Sequence, residues 1–373
     1  MRLSTKLRSV LLATAVAGAV VVSAQGAGAA GYDWRDVGHP EAYVTLAGVA
    51  ATSGRDAWAV GARLTDDSSQ VGYAEHWNGR RWAEVRLPGK DYHTFTDVSA
   101  SSARDVWVLA DTHGQGQLFK HWNGRTWAEV APATLPGHPG ATVLTDVSAT
   151  SASDAWAVGF HTDNYPYDTV VQHWDGAHWS RVPTPGSHVA LRAVSALAPD
   201  DVWAVGWFTE DDVEVLATMH WDGTGWKTVT TKIPGRQAQL MDVVAVSGTE
   251  VWAAGQVEGD PVAMRWDGTS WTVLPTPKLD TTQINAVAPD GHGGAWLAGY
   301  DYSNEEPGRQ PLYLHWYAGE WTEATSQQPE GTVNGLATLK RSRAIWAVGT
   351  TSWCECFVGQ PLVQLHGRLP GLH

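Results

Sequence analysis

The chain has 373 residues, of which 39 are acidic and 25 basic, giving a formal charge of −14 at pH 7. A polyanion of this kind repels phosphate backbones and anionic lipid headgroups, which excludes nucleic acid and membrane surfaces as expected partners. With 39 glycines, 22 tryptophans and only 17% charged residues, the composition is that of turn-rich β structure filled by large aromatic side chains.

The first thirty residues open on Arg2, Lys6 and Arg8, run apolar from Val10 to Val22 and then offer small residues at Ala24, Ala29 and Ala30. This layout predicts a secretory signal peptide over 1–30, because the apolar run is shorter than the ~20 residues that span a bilayer. Once Arg2, Lys6 and Arg8 leave with it, the formal charge falls from −14 to −17. The expected mature protein, 31–373, is secreted and extracellular, without membrane insertion.

From there one pattern recurs seven times, the sequence signature of a repeat architecture. Its first tryptophan stands at 58, 107, 156, 203, 252, 296 and 346. A second, usually after histidine, follows at 77, 122, 174, 221, 266 and 316, and a third at 82, 127, 179, 226, 271 and 321. Each repeat reads as four strands, a to d. Phe95–Ala100 and Leu144–Ala149 alternate as half-buried strands a, and the Trp-Ala-Val-Gly type segment is strand b. Strand c ends at His-Trp, after which Asn78-Gly79, Asp175-Gly176 and their equivalents predict a two-residue turn with positive φ at both positions. Strand d follows and stops at a proline connector, since proline cannot donate to a ladder.

The seventh repeat has Trp346 and His366 but no third tryptophan. Trp34-x-x-Val37-x-x-Pro40 repeats the spacing of Trp82-x-x-Val85-x-x-Pro88, so residues 31–40 are expected to supply strand d of that last unit. A four-stranded sheet leaves two apolar faces that only stacking on its neighbours can bury. The expected fold is all-β, a seven-bladed β-propeller with four-stranded blades, closed by the N-terminal strand completing blade seven. Each tryptophan buried in it removes roughly 150–250 Å² from water, which makes the repeated tryptophans structural.

Asp-Val-Trp-Ala-Val-Gly at 201–206 and His-Trp-Asp-Gly-x-x-Trp at 220–226 resemble the tryptophan-rich propeller repeats of secreted actinobacterial and myxobacterial proteins. The Asp-Gly turn followed by tryptophan is also similar to the Asp-box of sialidase-like propellers, with His-Trp where that box carries Ser-x. The order differs from WD40 repeats, in which Gly-His precedes Trp-Asp. The resemblance spans 31–373 and implies a propeller. It further implies a setting among secreted lectins, including the cell-surface-binding lectin subunits of umbrella-type antibacterial toxin particles.

In such a ring the b-to-c loops and d-to-a connectors share one face and here vary in length, so this face is the expected carrier of recognition. Aromatics outside the repeat pattern gather there: Tyr165, Tyr167, Trp207, Phe208, Tyr300, Tyr302, Trp353 and Phe357, beside Asp211, Asp212, Asp301 and Glu355. Flat rings suit the apolar C–H faces of sugars, and carboxylates accept from their hydroxyls. The expected ligand is therefore carbohydrate, a cell-surface glycan. Trp207 and Trp353 lie beyond the repeat positions and are expected as exposed contact residues in b-to-c loops.

Other constellations are read as structural. Histidines 76, 121, 173, 220, 315 and 366 are spread around the ring, too far apart to converge on one zinc ion. Asp97, Asp146 and Asp242 on the innermost strands are expected to hydrogen-bond to adjacent blades, with a calcium ion in the channel as the alternative. Cys354 and Cys356 either close a tight local disulfide or stay thiols. No Gly-x-Ser-x-Gly elbow, His-Glu-x-x-His helix or arginine cluster is present, so a non-catalytic binding protein without a cofactor is expected. A scaffold for other secreted proteins and a glycoside hydrolase or lyase are the alternatives.

Overall fold

A computed structural model describes residues 33–39, 43–89, 93–113, 116–134, 142–163, 167–186, 188–210, 213–229, 237–279, 281–302, 308–339, 342–351 and 359–369. The segment read as a signal peptide and both cysteines lie outside them. The described chain forms seven four-stranded antiparallel sheets, in each of which strands a to d pair in order. Blade one is Val44–Ser53, Asp56–Leu64, Gln70–Trp77 and Trp82–Glu84. In blade seven, Thr332–Thr338, Ile345–Thr351 and Gln360–His366 are completed by Trp34–Asp36, with Trp34 opposite His366 and Asp36 opposite Gln364. The N-terminal strand therefore closes the ring, as its tryptophan spacing implies.

The repeated tryptophans explain why the blades stack. The strand-b tryptophan of one blade inserts between the c and d tryptophans of the next. Trp107 meets Trp174 and Trp179 at ring distances of 5.0 and 5.3 Å, and Trp346 meets Trp77 and Trp82 at 5.1 Å each. At the closure His366 takes the place of the c tryptophan. Trp296 of blade six accordingly contacts His366 at 4.6 Å and Trp34 edge-on at 5.4 Å.

The repeated histidines serve the same purpose. Nε2 of His76, His121 and His173 lies 2.7 Å from the strand-b carboxylate of Asp56, Asp105 and Asp154. Thr52, Ser101 and Thr150 donate to the second oxygen of the same carboxylates. His220 and His315 bond Asp201 and Asp290 in the same way, at 2.8 and 3.0 Å. The imidazole also lies on the strand-b tryptophan, as His121 does on Trp107 at 3.8 Å.

Around the channel the blades are joined by side chains. Asp97 accepts from the backbone N–H of Val147 at 3.0 Å, Asp146 from Val194 at 2.6 Å and Asp242 from Val287 at 2.7 Å. Each bond runs from one blade to the next, the role expected of these residues. A β-bulge one residue earlier, as between Leu144 and Asp146, sets each carboxylate towards its neighbour.

One expectation fails locally. The c-to-d connection is four residues long, since Trp77 pairs with Trp82, and of Asn78 and Gly79 only the glycine has positive φ, at 92°. The reason is side-chain capping: the Asn78 oxygen accepts from the N–H groups of Arg80 and Arg81 at 3.0 and 3.2 Å. Asp175 does the same for Ala177 and His178. An Asx turn satisfies the donors that a two-residue turn would have paired across the ladder.

Candidate binding face

The b-to-c connections rise on the face opposite the a-to-b turns, and the expected site residues divide sharply there. Trp207 and Phe208 do not belong to a loop. Strand b of blade four runs from Asp201 to Glu210, pairing Trp207 with Ala190 on one side and Leu216 on the other. Trp207 is 6% exposed and forms a small cluster with Phe160 and Ala190, on which Tyr167 packs. The guanidinium of Arg192 lies 4.8 Å from its ring. Phe208, on the other side of the strand, is half-buried against the core shared by blades three and four. The reading of Trp207 as an exposed loop aromatic is thus corrected: the ribbon continues past Gly206, and the neighbouring blade covers the ring.

Trp207→Ala is accordingly expected to lower stability by about 2–3 kcal/mol. That is below the 3–5 typical of a tryptophan truncated in a closed core, because a cluster at the rim can collapse. Urea unfolding measures it, and parent-like stability would show that the ring fills no essential space.

Tyr300 and Asp301 end strand b of blade six, Tyr302 follows directly, and the three are brought together. Tyr302 is 51% exposed, its N–H held by Thr281 O at 2.9 Å. Its ring lies 5.8 Å from that of Tyr300, which in turn carries the Arg309 guanidinium at 4.4 Å. Asp301 accepts from the Thr281 hydroxyl at 3.0 Å. Burial, reinforced by the charge of Asp301, raises Glu323 on strand d above the usual carboxylate range. The result is an aromatic pair, a guanidinium and carboxylates at one point of the variable face. Tyr165, Asp211, Asp212, Trp353, Glu355 and Phe357 lie outside the described residues.

Two concavities have no counterpart among the expected sites. One, of about 830 Å³, opens among the a-to-b turns and is lined by Leu197, Val246, Pro289, His292 and Arg343 among others. The second lies on the variable face between blades one and two and includes Lys120. Its trace in the sequence is a lysine two residues before the strand-c tryptophan, where blades four to six carry Met219, Met264 and Leu314.

No family model matches the chain, and no curated protein does. Among solved structures it is similar to YCF48 bound to D1 peptide, with 14% identity over 93% of this chain and 98% of that one and a TM-score of 0.57. It is similar also to the WD40 β-propeller domain of Doa1, with 11% identity over 91% and 98% and a TM-score of 0.59. The SapL1 lectin in complex with alpha methyl fucoside shares 16% identity over 75% of this chain and 96% of its own, with a TM-score of 0.49. At these identities the similarity concerns the fold, and one fold hosts many functions: the chain is a β-propeller.

Proposed function

We propose that the protein is a secreted, non-catalytic carbohydrate-binding propeller that recognises cell-surface glycans through its variable face, as the targeting subunit of a larger secreted complex. The observation that carries this reading is the Tyr300–Asp301–Tyr302 group. A half-exposed ring beside a second ring offers a stacking surface for a sugar's C–H face, and the adjoining carboxylate and guanidinium complement its hydroxyls. Tyr300 is paired within strand b and the backbone of Tyr302 is held by Thr281, so little order is lost on binding.

A glycan array probed with the mature protein, with and without calcium, tests the reading. Capture without turnover supports it, and turnover of a captured glycan would make the protein a hydrolase or lyase instead. Tyr302→Ala is expected to weaken capture about tenfold, or ~1.4 kcal/mol, with the melting temperature unchanged. Parent-like capture by this variant would remove blade six from the site.

One observation favours a protein scaffold. Leu197 and Val246, 37% and 39% exposed, stand beside the 830 Å³ cavity where blades one to three carry the hydroxyls of Thr52, Ser101 and Thr150. An apolar peptide side chain would fill that mouth. Silence on the array, with proteins co-purifying from culture supernatant, would select this reading.

A further inference from the structure

The variable-face cavity between blades one and two has a volume of about 300 Å³, the lower end of the ligand-pocket range and the scale of one ring rather than a chain. Its walls come from strands b to d of blade one, the connector to blade two, and Phe95 and Lys120 of blade two. Glycine lets its apolar wall pack closely: a Cβ on Gly72 would stand 2.5 Å from the Phe95 ring, which lies against the Gly72 backbone.

The charge of the lining is unlike that of the chain. Against an overall −14, the cavity holds, among the described residues, Arg63, Arg86 and Lys120, with His93 beside them, and a single carboxylate, Glu84. These cations are not equivalent. Lys120 is 1% exposed, and its ammonium is consumed by Pro88 O at 2.6 Å, His93 Nδ1 at 3.3 Å and Glu129 at 2.5 Å. A Cβ on Gly89 would lie 2.2 Å from Lys120 Nζ and from the Glu129 carboxylate, so glycine there lets the connector close over the pair. Lys120 thus builds the wall, with its charge already matched. The Arg63 guanidinium gives Nη1 to Glu84 at 3.2 Å, lies 5.8 Å from the Tyr73 ring and makes no other hydrogen bond among the described residues, which leaves most of its five donors for a ligand. Arg86 is exposed at the rim. Among the described lining residues, two guanidinium groups against one carboxylate leave one net positive charge, which suits a monoanion and opposes a dianion such as a sugar phosphate.

We propose that this cavity binds a single hexuronate residue. Its carboxylate lies on the Arg63 and Arg86 forks, the planar geometry that arginine pairs best. Its hydroxyls donate to Glu84, and its C–H face lies on Phe95. The sugar half of this assignment rests on the carbohydrate reading above, and the charge half rests on the lining alone.

Calorimetric titration of the mature protein with methyl glucuronide, methyl glucoside and acetate tests both halves. Glucuronide is expected to bind at least about tenfold more tightly than either of the others, since the neutral sugar leaves the arginines unmatched and acetate lacks the ring. Arg86→Gln, at the exposed rim, and Arg63→Gln are each expected to cost glucuronide about tenfold or more, with the melting temperature of Arg86→Gln unchanged. Equal affinity for glucuronide and glucoside, or parent-like glucuronide binding in both variants, overturns the proposal. Capture of neutral glycans on the array without glucuronide binding overturns this site and leaves the lectin reading standing. Acetate binding as tightly as glucuronide, with every neutral glycan silent, overturns the sugar half and the lectin reading together.

Discussion

Trp34→Ala is expected to destabilise the ring by about 3–5 kcal/mol, the cost of truncating a large aromatic in a closed core. Trp34 is 0% exposed. It stacks on Tyr313 at 4.1 Å and meets Trp296 edge-on, so it is part of the core that joins blade six to blade seven. Deleting 31–40 goes further. It removes the bonds from Val37 N to Val363 O and from Gln327 N to Trp34 O, and it strips Asp36 from Gln328 and Gln364. The strand Gln360–His366 then becomes an open edge, a template for pairing with other chains. Urea unfolding and light scattering read the two effects: an earlier transition for both variants, and aggregation for the deletion. A deletion variant that melts with the parent would show that the ring closes without this strand. Trp34→Phe, which keeps a stacked ring, should lose much less.

The architecture was legible because it is written seven times. Any one Trp-Ala-Val-Gly segment is ambiguous, but six intervals of 44 to 50 residues between its tryptophans leave one packing solution. Even the closure was visible, since Trp34 has no partners in its own neighbourhood and the seventh repeat lacks a tryptophan. The turn geometry is not legible in the same way, because an Asn-Gly pair signals a bend without stating its length. That length is set by the Asn78 side chain capping two donors.

The candidate site was legible only in part, and Trp207 shows why. Its place beyond the repeat positions implies a loop only if strand b ends with its motif at Gly206. Strand extension depends on Val213 and Val215 returning opposite Glu210 and Phe208, and burial depends on Phe160, 47 residues away in another blade. Neither is a local signal. Tyr302 is exposed and Trp207 is not because Trp207 directly follows its motif glycine and is still paired within strand b, whereas Tyr302 stands three residues past Gly299, beyond the last residue of its strand, Asp301. The blade-one cavity had a weaker signal still. Polar residues two before the strand-c tryptophan, Glu75, Lys120 and Gln172, mark positions where a buried face departs from the apolar pattern, and only alignment of the repeats makes them stand out.

Asp242→Asn is expected to stabilise the protein at pH 8 and to leave it unchanged at pH 4. Burial, which outweighs the N–H bonds from Val287 and Val243, raises the Asp242 carboxyl from 3.8 to about 7, and the Asp97 charge adds to the rise. Asp146 is raised by the same causes, burial first and then the charge of Asp97. With the folded value above the unfolded one, both states hold the proton below about pH 4 and the group contributes nothing. As pH rises from 3.8 to about 7, the unfolded chain ionises first and stability falls; above that the full penalty is present. The limit is roughly 4 kcal/mol at about 1.4 kcal/mol per unit, and channel water reaching the partly exposed side chain reduces it. Asparagine keeps an oxygen for the Val287 N–H, 2.7 Å away in the parent, and cannot ionise. Asp242→Ala removes that acceptor and should be about 1–3 kcal/mol less stable than Asp242→Asn at every pH. Urea unfolding of the parent and both variants at pH 4, 6 and 8 separates these contributions. An asparagine variant less stable than the parent at pH 8 would show that the blades require the charged carboxylate. Calcium that stabilises the parent at pH 8 but not the variant would then place a cation, rather than a proton, between the blades.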